Sequence, residues 1–253
     1  MINMIKAELY RLTRTKGFYL FWGAVLITYI ITLIYKEEGG ISFGAPLTAD
    51  ESVKMDIRMV CRNFNFYFYF IIPVFSLICA EFTDHTYKNT ITSAISRRTY
   101  FWSKYLFTMC YSLAAFIVSN VLFYFANSIK NGSEYSSSFG TFMKAAAMQL
   151  PVMIAISAVF ISVAFLVKKG AAFNAVTILG PVAYTTVALV LYGSESTKKA
   201  AEKLLTYEIS SVILTLPTTD DSSFIAKCFI GSAVITAAAT ALSYLYFTRR
   251  ELD

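Results

Sequence analysis

Charge and metal-ligating side chains are scarce in this chain. Aspartate, glutamate, lysine and arginine make up 15% of its 253 residues, against 57% hydrophobic residues, and the mean hydropathy is +0.57. So little polar surface cannot solvate a globule of this length, which leaves lipid as the main solvent. There is one histidine, His85, and none of the four cysteines stands in Cys-x-x-Cys spacing, which argues against a zinc site. Cys61 and Cys228 fall near the same ends of apolar runs, so a bridge and two buried thiols are the alternatives there. No Gly-Lys pair occurs anywhere, which excludes the phosphate-binding loop of nucleotide hydrolases. No long basic run marks a nucleic-acid partner, and the net charge of +6 reads instead as an orientation signal.

What the chain does hold is long apolar runs. A helix needs about 20 mainly apolar residues to cross the roughly 30 Å of hydrocarbon, because lipid satisfies no backbone polar group. Six runs meet that requirement: Gly17 to Tyr35, Asn63 to Ala80, Tyr105 to Asn127, Ala145 to Val167, Phe173 to Tyr192 and Cys228 to Phe247. The aromatic-rich second run does not alternate polar with apolar residues as a membrane strand would, so it too is read as helix, kinked at Pro73. The expected fold is therefore all-α: a single polytopic domain over 1–253 with six spans. In the last run Ala233, Ala237 and Ala241 repeat at four-residue spacing beside Ser232, Thr236 and Thr240. Small residues so placed allow close helix approach, either within the chain or at a dimer seam.

Lysine and arginine set the orientation. Segments 1–16, 81–104, 168–172 and 248–253 together carry 12 basic and 5 acidic residues, whereas the remaining connections carry 10 and 11. Both termini are thus expected on the cytoplasmic side. The first apolar run is long and ends in Lys36-Glu37-Glu38 without a small-residue cleavage site, so it is expected to stay as an uncleaved span.

None of the six runs contains Asp, Glu, Lys, Arg or His. Carriers coupled to protons or sodium usually hold such groups near the midplane, and intramembrane hydrolases need a nucleophile with a base or paired carboxylates. The chain is therefore expected to be no enzyme and to carry no cofactor, and any work done on a substrate needs energy from another chain. Two segments on the expected inner side can receive it. Residues 1–16 place Ile2, Ile5, Leu9 and Leu12 on one helical face away from Arg11 and Arg14, the pattern of a helix lying in the interface, either as an anchor or as a partner contact. The connection 81–104 is long enough for a short helix from about Lys88 to Ile95. That helix groups Ile91, Ala94 and Ile95 for contact with a groove, before Tyr100, Phe101, Trp102 and Lys104 mark re-entry.

This order of features resembles the type-2 ABC exporter permeases: an amphipathic first helix, Glu81-Phe82 at the inner end of the second span, a threonine-rich short helix, Ser96-Arg97, an aromatic stretch and Lys104. It looks most like the small six-span bacterial subunits of lantibiotic-immunity, antimicrobial-peptide and multidrug exporters. Where that family has Gly-Thr after the glutamate, this chain has His85-Thr86. The resemblance implies a bacterial cytoplasmic membrane and a pair of permeases, identical or different, seated on two ATP-binding subunits that hold ATP and magnesium. It implies a coupling segment comprising Glu81, Lys88, Ile91, Ala94, Ile95, Ser96 and Arg97. It also implies a pathway lined by the second and fifth spans, with Phe66, Phe70, Phe75, Thr177, Tyr184 and Thr185 as candidates. Such an apolar lining suits hydrophobic or amphipathic cargo moved outward. The alternative is a membrane protein that senses or sequesters a ligand, or anchors an assembly, without transport.

In segment 193–227 the stretch Leu204 to Leu216 is too short to span and ends at Pro217, so it is expected to be an outer helix, capping the pathway or lying exposed on the surface. Asn131-Gly132-Ser133 matches a glycosylation acceptor, which has no meaning in a bacterial host.

Overall fold

The computed structural model describes residues 2–34, 65–92, 95–131 and 138–249. Among them there is helix and no strand. Helix α1 (Ile2–Arg14) turns at Thr15 into α2 (Lys16–Ile34). Helix α3 (Asn65–Val74) continues through a π-helical turn, Phe75–Cys79, into α4 (Ala80–Thr83). The short α5 (Thr86–Thr92) precedes the long α6 (Arg97–Asn131), and α7 (Phe139–Val167) and α8 (Gly170–Tyr192) follow. Two short helices, α9 (Lys198–Thr206) and α10 (Ile209–Thr215), lead to α11 (Ser222–Arg249).

Four of these helices, α6, α7, α8 and α11, are long and apolar enough to cross a membrane, and Lys16–Ile27 and Phe70–Thr83 are shorter apolar helical stretches. Helix α7 is the centre of the bundle: 61% of its apolar window is buried, against 11% for α8 and for α11. Its partner along most of its length is α11, where Ser162 Oγ donates to Ala239 O at 2.8 Å and to Ser243 Oγ at 3.1 Å. Ser232 and Ser243 are buried on that face of α11. The serine and threonine side of the small-residue repeat thus packs within the chain, while Ala233, Ala237 and Ala241 lie on the exposed side.

Pro73 does not simply bend its helix. The turn that follows widens, and the N–H of Ala80 reaches Phe75 O, five residues back. Proline removes a ladder donor and clashes with the preceding turn, and a π-turn absorbs the misfit without breaking the helix. Close approach fixes the wide turn in place, since a Cβ on Gly17 would lie 2.6 Å from Ser76 Cβ.

At one end of the bundle, α9 and α10 form a lid. Gln149 Nε2 donates to Ile213 O at 2.8 Å, Thr185 Oγ1 to Glu208 Oε1 at 2.6 Å and Tyr184 Oη to Leu204 O at 2.9 Å. The sequence pattern had suggested one helix over Leu204–Leu216. The structure has two, because Glu208 is extended (φ −61°, ψ 142°) and starts α10 afresh. Cys61 lies outside the described residues, as do Gly132 and Ser133, so neither the bridge nor the glycosylation motif is part of this description.

Candidate functional site

At the other end of the bundle, three helices and the π-helical turn meet in a corner built on buried charge. Glu8 and Arg11 come from α1, Glu81 from α4, and Tyr100 and Lys104 from α6. Lys104 Nζ lies 2.7 Å from Glu8 Oε1 and 2.7 Å from Glu81 Oε1, and it donates to Leu77 O in the π-turn at 3.2 Å. Arg11 pairs with Glu8 at 2.8 Å, with Glu81, and with the same Leu77 carbonyl at 3.3 Å. The Tyr100 hydroxyl donates to Glu81 Oε2. Only 1% of the Lys104 side chain is exposed, 8% of Glu8 and 7% of Glu81, while Arg11 reaches the surface at 37%. Two carboxylates thus face two cations, and each of their four oxygens has a charged or hydroxyl partner, a condition that a buried ionic group must meet to be tolerated.

Helix α1 turns a different face inward from the one its apolar pattern suggests. Leu12 is buried and Met4 packs against the core, with Glu8 between them on the same face, whereas Ile5 and Leu9 are exposed. Two faces are therefore in use: Ile5 and Leu9 meet the surroundings, and the Met4, Glu8 and Leu12 face clamps α1 to the bundle.

Beside the charges sits an aromatic cluster. Phe82 meets Tyr87 at 4.9 Å and Phe165 at 5.6 Å between ring centroids, Phe165 meets Phe101 at 4.7 Å and Phe247 at 5.1 Å, and Tyr100 stacks on Phe247 at 5.8 Å. These rings join α4, α5, α6, α7 and α11 into one body. The start of α8 is held as well: Gly170 N donates to Thr83 Oγ1 at 3.3 Å, and a Cβ at Gly170 would come within 2.8 Å of the Phe75 ring.

The turn between α4 and α5 projects from this corner. Asp84, His85, Thr86 and Asn89 are exposed, whereas Tyr87 is 3% exposed. Among the described residues the helix runs over Thr86–Thr92, so it starts before the expected Lys88, and Ile95 is not helical. Ile91 and Ile95 are half-buried and pack against the chain's own core, and the exposed surface beside them is the polar turn. Lys88 and Arg97 are half-buried and Ser96 exposed, and Ala94 lies outside the described residues. His85 has φ 54°, in the left-handed region where only glycine is free of a Cβ penalty. His85→Gly should therefore stabilise the chain by about 0.5–1 kcal/mol, the left-handed penalty less the entropy of glycine. A thermal-unfolding midpoint in detergent that fell on this change would show that the imidazole makes contacts worth more than the strain.

The lining candidates fall in several environments. Phe70 is buried against Phe116, with ring centroids 6.4 Å apart, and Thr177 is buried. Phe75 is 36% exposed beside Phe173, and Tyr184 is 41% exposed next to Thr185 at the lid. The side chain of Phe66 lies outside the described residues. Sequence reasoning placed Glu81 in the coupling segment and Lys104 at the interface, but it did not join them to Glu8 and Arg11. The available signal was Glu8 itself, a carboxylate on the helical face shared by Met4 and Leu12.

A family model described as ABC-2 family transporter protein matches residues 4–180, which takes in most of α1, the whole charged corner and the first half of α8. No curated protein and no solved structure matches the chain.

Proposed function

Because the chain belongs to the ABC-2 transporter family, whose members are the membrane component of transporters driven by separate ATP-binding subunits, we propose that it is one permease half of an exporter. In this reading it has six spans, with α2 and the α3–α4 helix completing the set of four long ones, and both termini face the cytoplasm of a bacterium. A second permease, identical or related, completes the pathway, and two ATP-binding subunits dock beneath the charged corner. The cargo is hydrophobic or amphipathic, such as an antimicrobial peptide, a lantibiotic or a drug. It moves outward between the second and fifth spans, past Phe66, Phe75, Tyr184 and Thr185, with Phe70 and Thr177 holding those spans in shape.

The observation that carries this reading is the way α5 is tied down. A force on the exposed turn at Asp84, His85 and Thr86 passes through Tyr87 to Phe82, and from there to Phe165 and Phe247. The Glu81, Lys104 and Glu8 network carries it to α6 and α1. Packed rings and paired charges have discrete arrangements rather than a continuous range, so the corner moves as a unit. A push from below is thus converted into tilting of the second and third spans together.

Purification from native membranes in mild detergent tests the proposal. An ATP-binding subunit should co-purify with this chain, and its hydrolysis rate should rise with added amphipathic peptide. Recovery of the chain with no ATPase would leave it as an anchor or sensor.

A further inference from the structure

Beside the charged corner, outside the ion network, a cleft of about 430 Å³ opens between the start of α6 and the end of α11, lined by Ser96, Arg97, Arg98, Tyr244, Thr248 and Arg249 among others. We infer that this cleft binds the phosphate headgroup of an anionic phospholipid from the adjoining leaflet.

Three arginines line it, and none of the described residues around it is acidic. The guanidinium fork matches phosphate oxygens in pairs, and the hydroxyls of Ser96, Thr248 and Tyr244 supply further polar contacts. The cleft also sits where the molecular surface changes character. Leu106, Leu242 and Leu245 are exposed along α6 and α11 just inside it. Trp102 and Tyr244, 5.8 Å apart, stand at the boundary in the position of an interfacial aromatic pair. A ligand filling this site is therefore negative at one end and apolar at the other, with acyl chains lying along the exposed leucines. A basic pocket between membrane helices is the kind of place that retains such a headgroup. Because α6 and α11 also carry Tyr100, Lys104 and Phe247 of the corner, the bound lipid would brace the transmitting unit from the side.

This inference rests on the chain being a membrane protein but not on its having an ATPase partner, so the two fail separately. The test uses the full chain in zwitterionic detergent, with its thermal midpoint followed during titration with phosphatidylglycerol, phosphatidylcholine or inorganic phosphate. Phosphatidylglycerol should raise the midpoint saturably while the other two leave it unchanged. Arg98→Gln with Arg249→Gln should weaken the apparent affinity at least tenfold. Thr248→Glu, which adds a negative charge to the cleft and removes no arginine, should do the same. Equal responses to the two lipids would overturn the inference, and so would a phosphate response matching that of the lipid, which would assign the cleft to a soluble anion. Loss of ATPase co-purification in the arginine variants with unchanged lipid response would assign these side chains to the protein partner.

Discussion

Lys104→Met should be among the most destabilising single changes in this protein, lowering its stability by about 3–5 kcal/mol, because it strands two buried carboxylates. Glu8 and Glu81 each keep less than a tenth of their side-chain surface exposed, and Lys104 bridges them at 2.7 Å on both sides. Without it, Arg11 alone faces two negative charges from a half-exposed position. The cause is charge imbalance rather than lost packing, since methionine nearly fills the lysine stem. Lys104→Met combined with Glu81→Gln restores one cation to one carboxylate and should recover most of the loss. Glutamine can still accept the Tyr100 hydroxyl through its carbonyl oxygen. A double-mutant cycle on thermal midpoints and membrane abundance measures the coupling directly. Additive losses would mean that the four charges act independently.

The second large effect concerns coupling alone. Asp84→Lys alters one exposed position on the projecting turn and should change stability by no more than about 0.5 kcal/mol, as surface changes usually do. Cargo-stimulated hydrolysis by the bound ATPase should nonetheless fall at least about tenfold, the effect of losing roughly 1.4 kcal/mol of docking energy. Ile91→Asp is the informative contrast. Ile91 packs against the chain's own core, so aspartate there buries an unpaired charge, and stability and hydrolysis should drop together. Unchanged hydrolysis in the Asp84 variant would move the docking surface elsewhere.

Much of the architecture follows from hydropathy alone, because a run of apolar residues long enough to span has few other stable states in water or lipid. The six apolar runs all fall in the sequence of α2, α3–α4, α6, α7, α8 and α11 or at their margins, and Pro73 marked the site of an irregularity, though the kink expected there is a π-turn. What a linear reading could not supply is pairing at a distance. Glu8 and Lys104 meet because α1 folds back under the bundle, and nothing in the local pattern around residue 8 names residue 104. The short helix shows the same limit. Ile91 and Ile95 form an apolar face in the sequence, but a pattern cannot tell an outer partner from the chain's own core. The left-handed turn at residue 85 was not legible. His85 adopts a positive φ in spite of its Cβ, and a turn that an L-residue takes against its own preference leaves no local pattern to read.

Transport by purified protein in liposomes, with and without its ATP-binding subunits, is the most direct trial of where the driving force enters. With the subunits and ATP enclosed on the side of the charged corner, an amphipathic peptide should be carried across against its gradient. The permease alone should leave the peptide at equilibrium under any proton or sodium gradient. Uphill movement by the permease alone would contradict a drive delivered through the turn at Asp84 and His85.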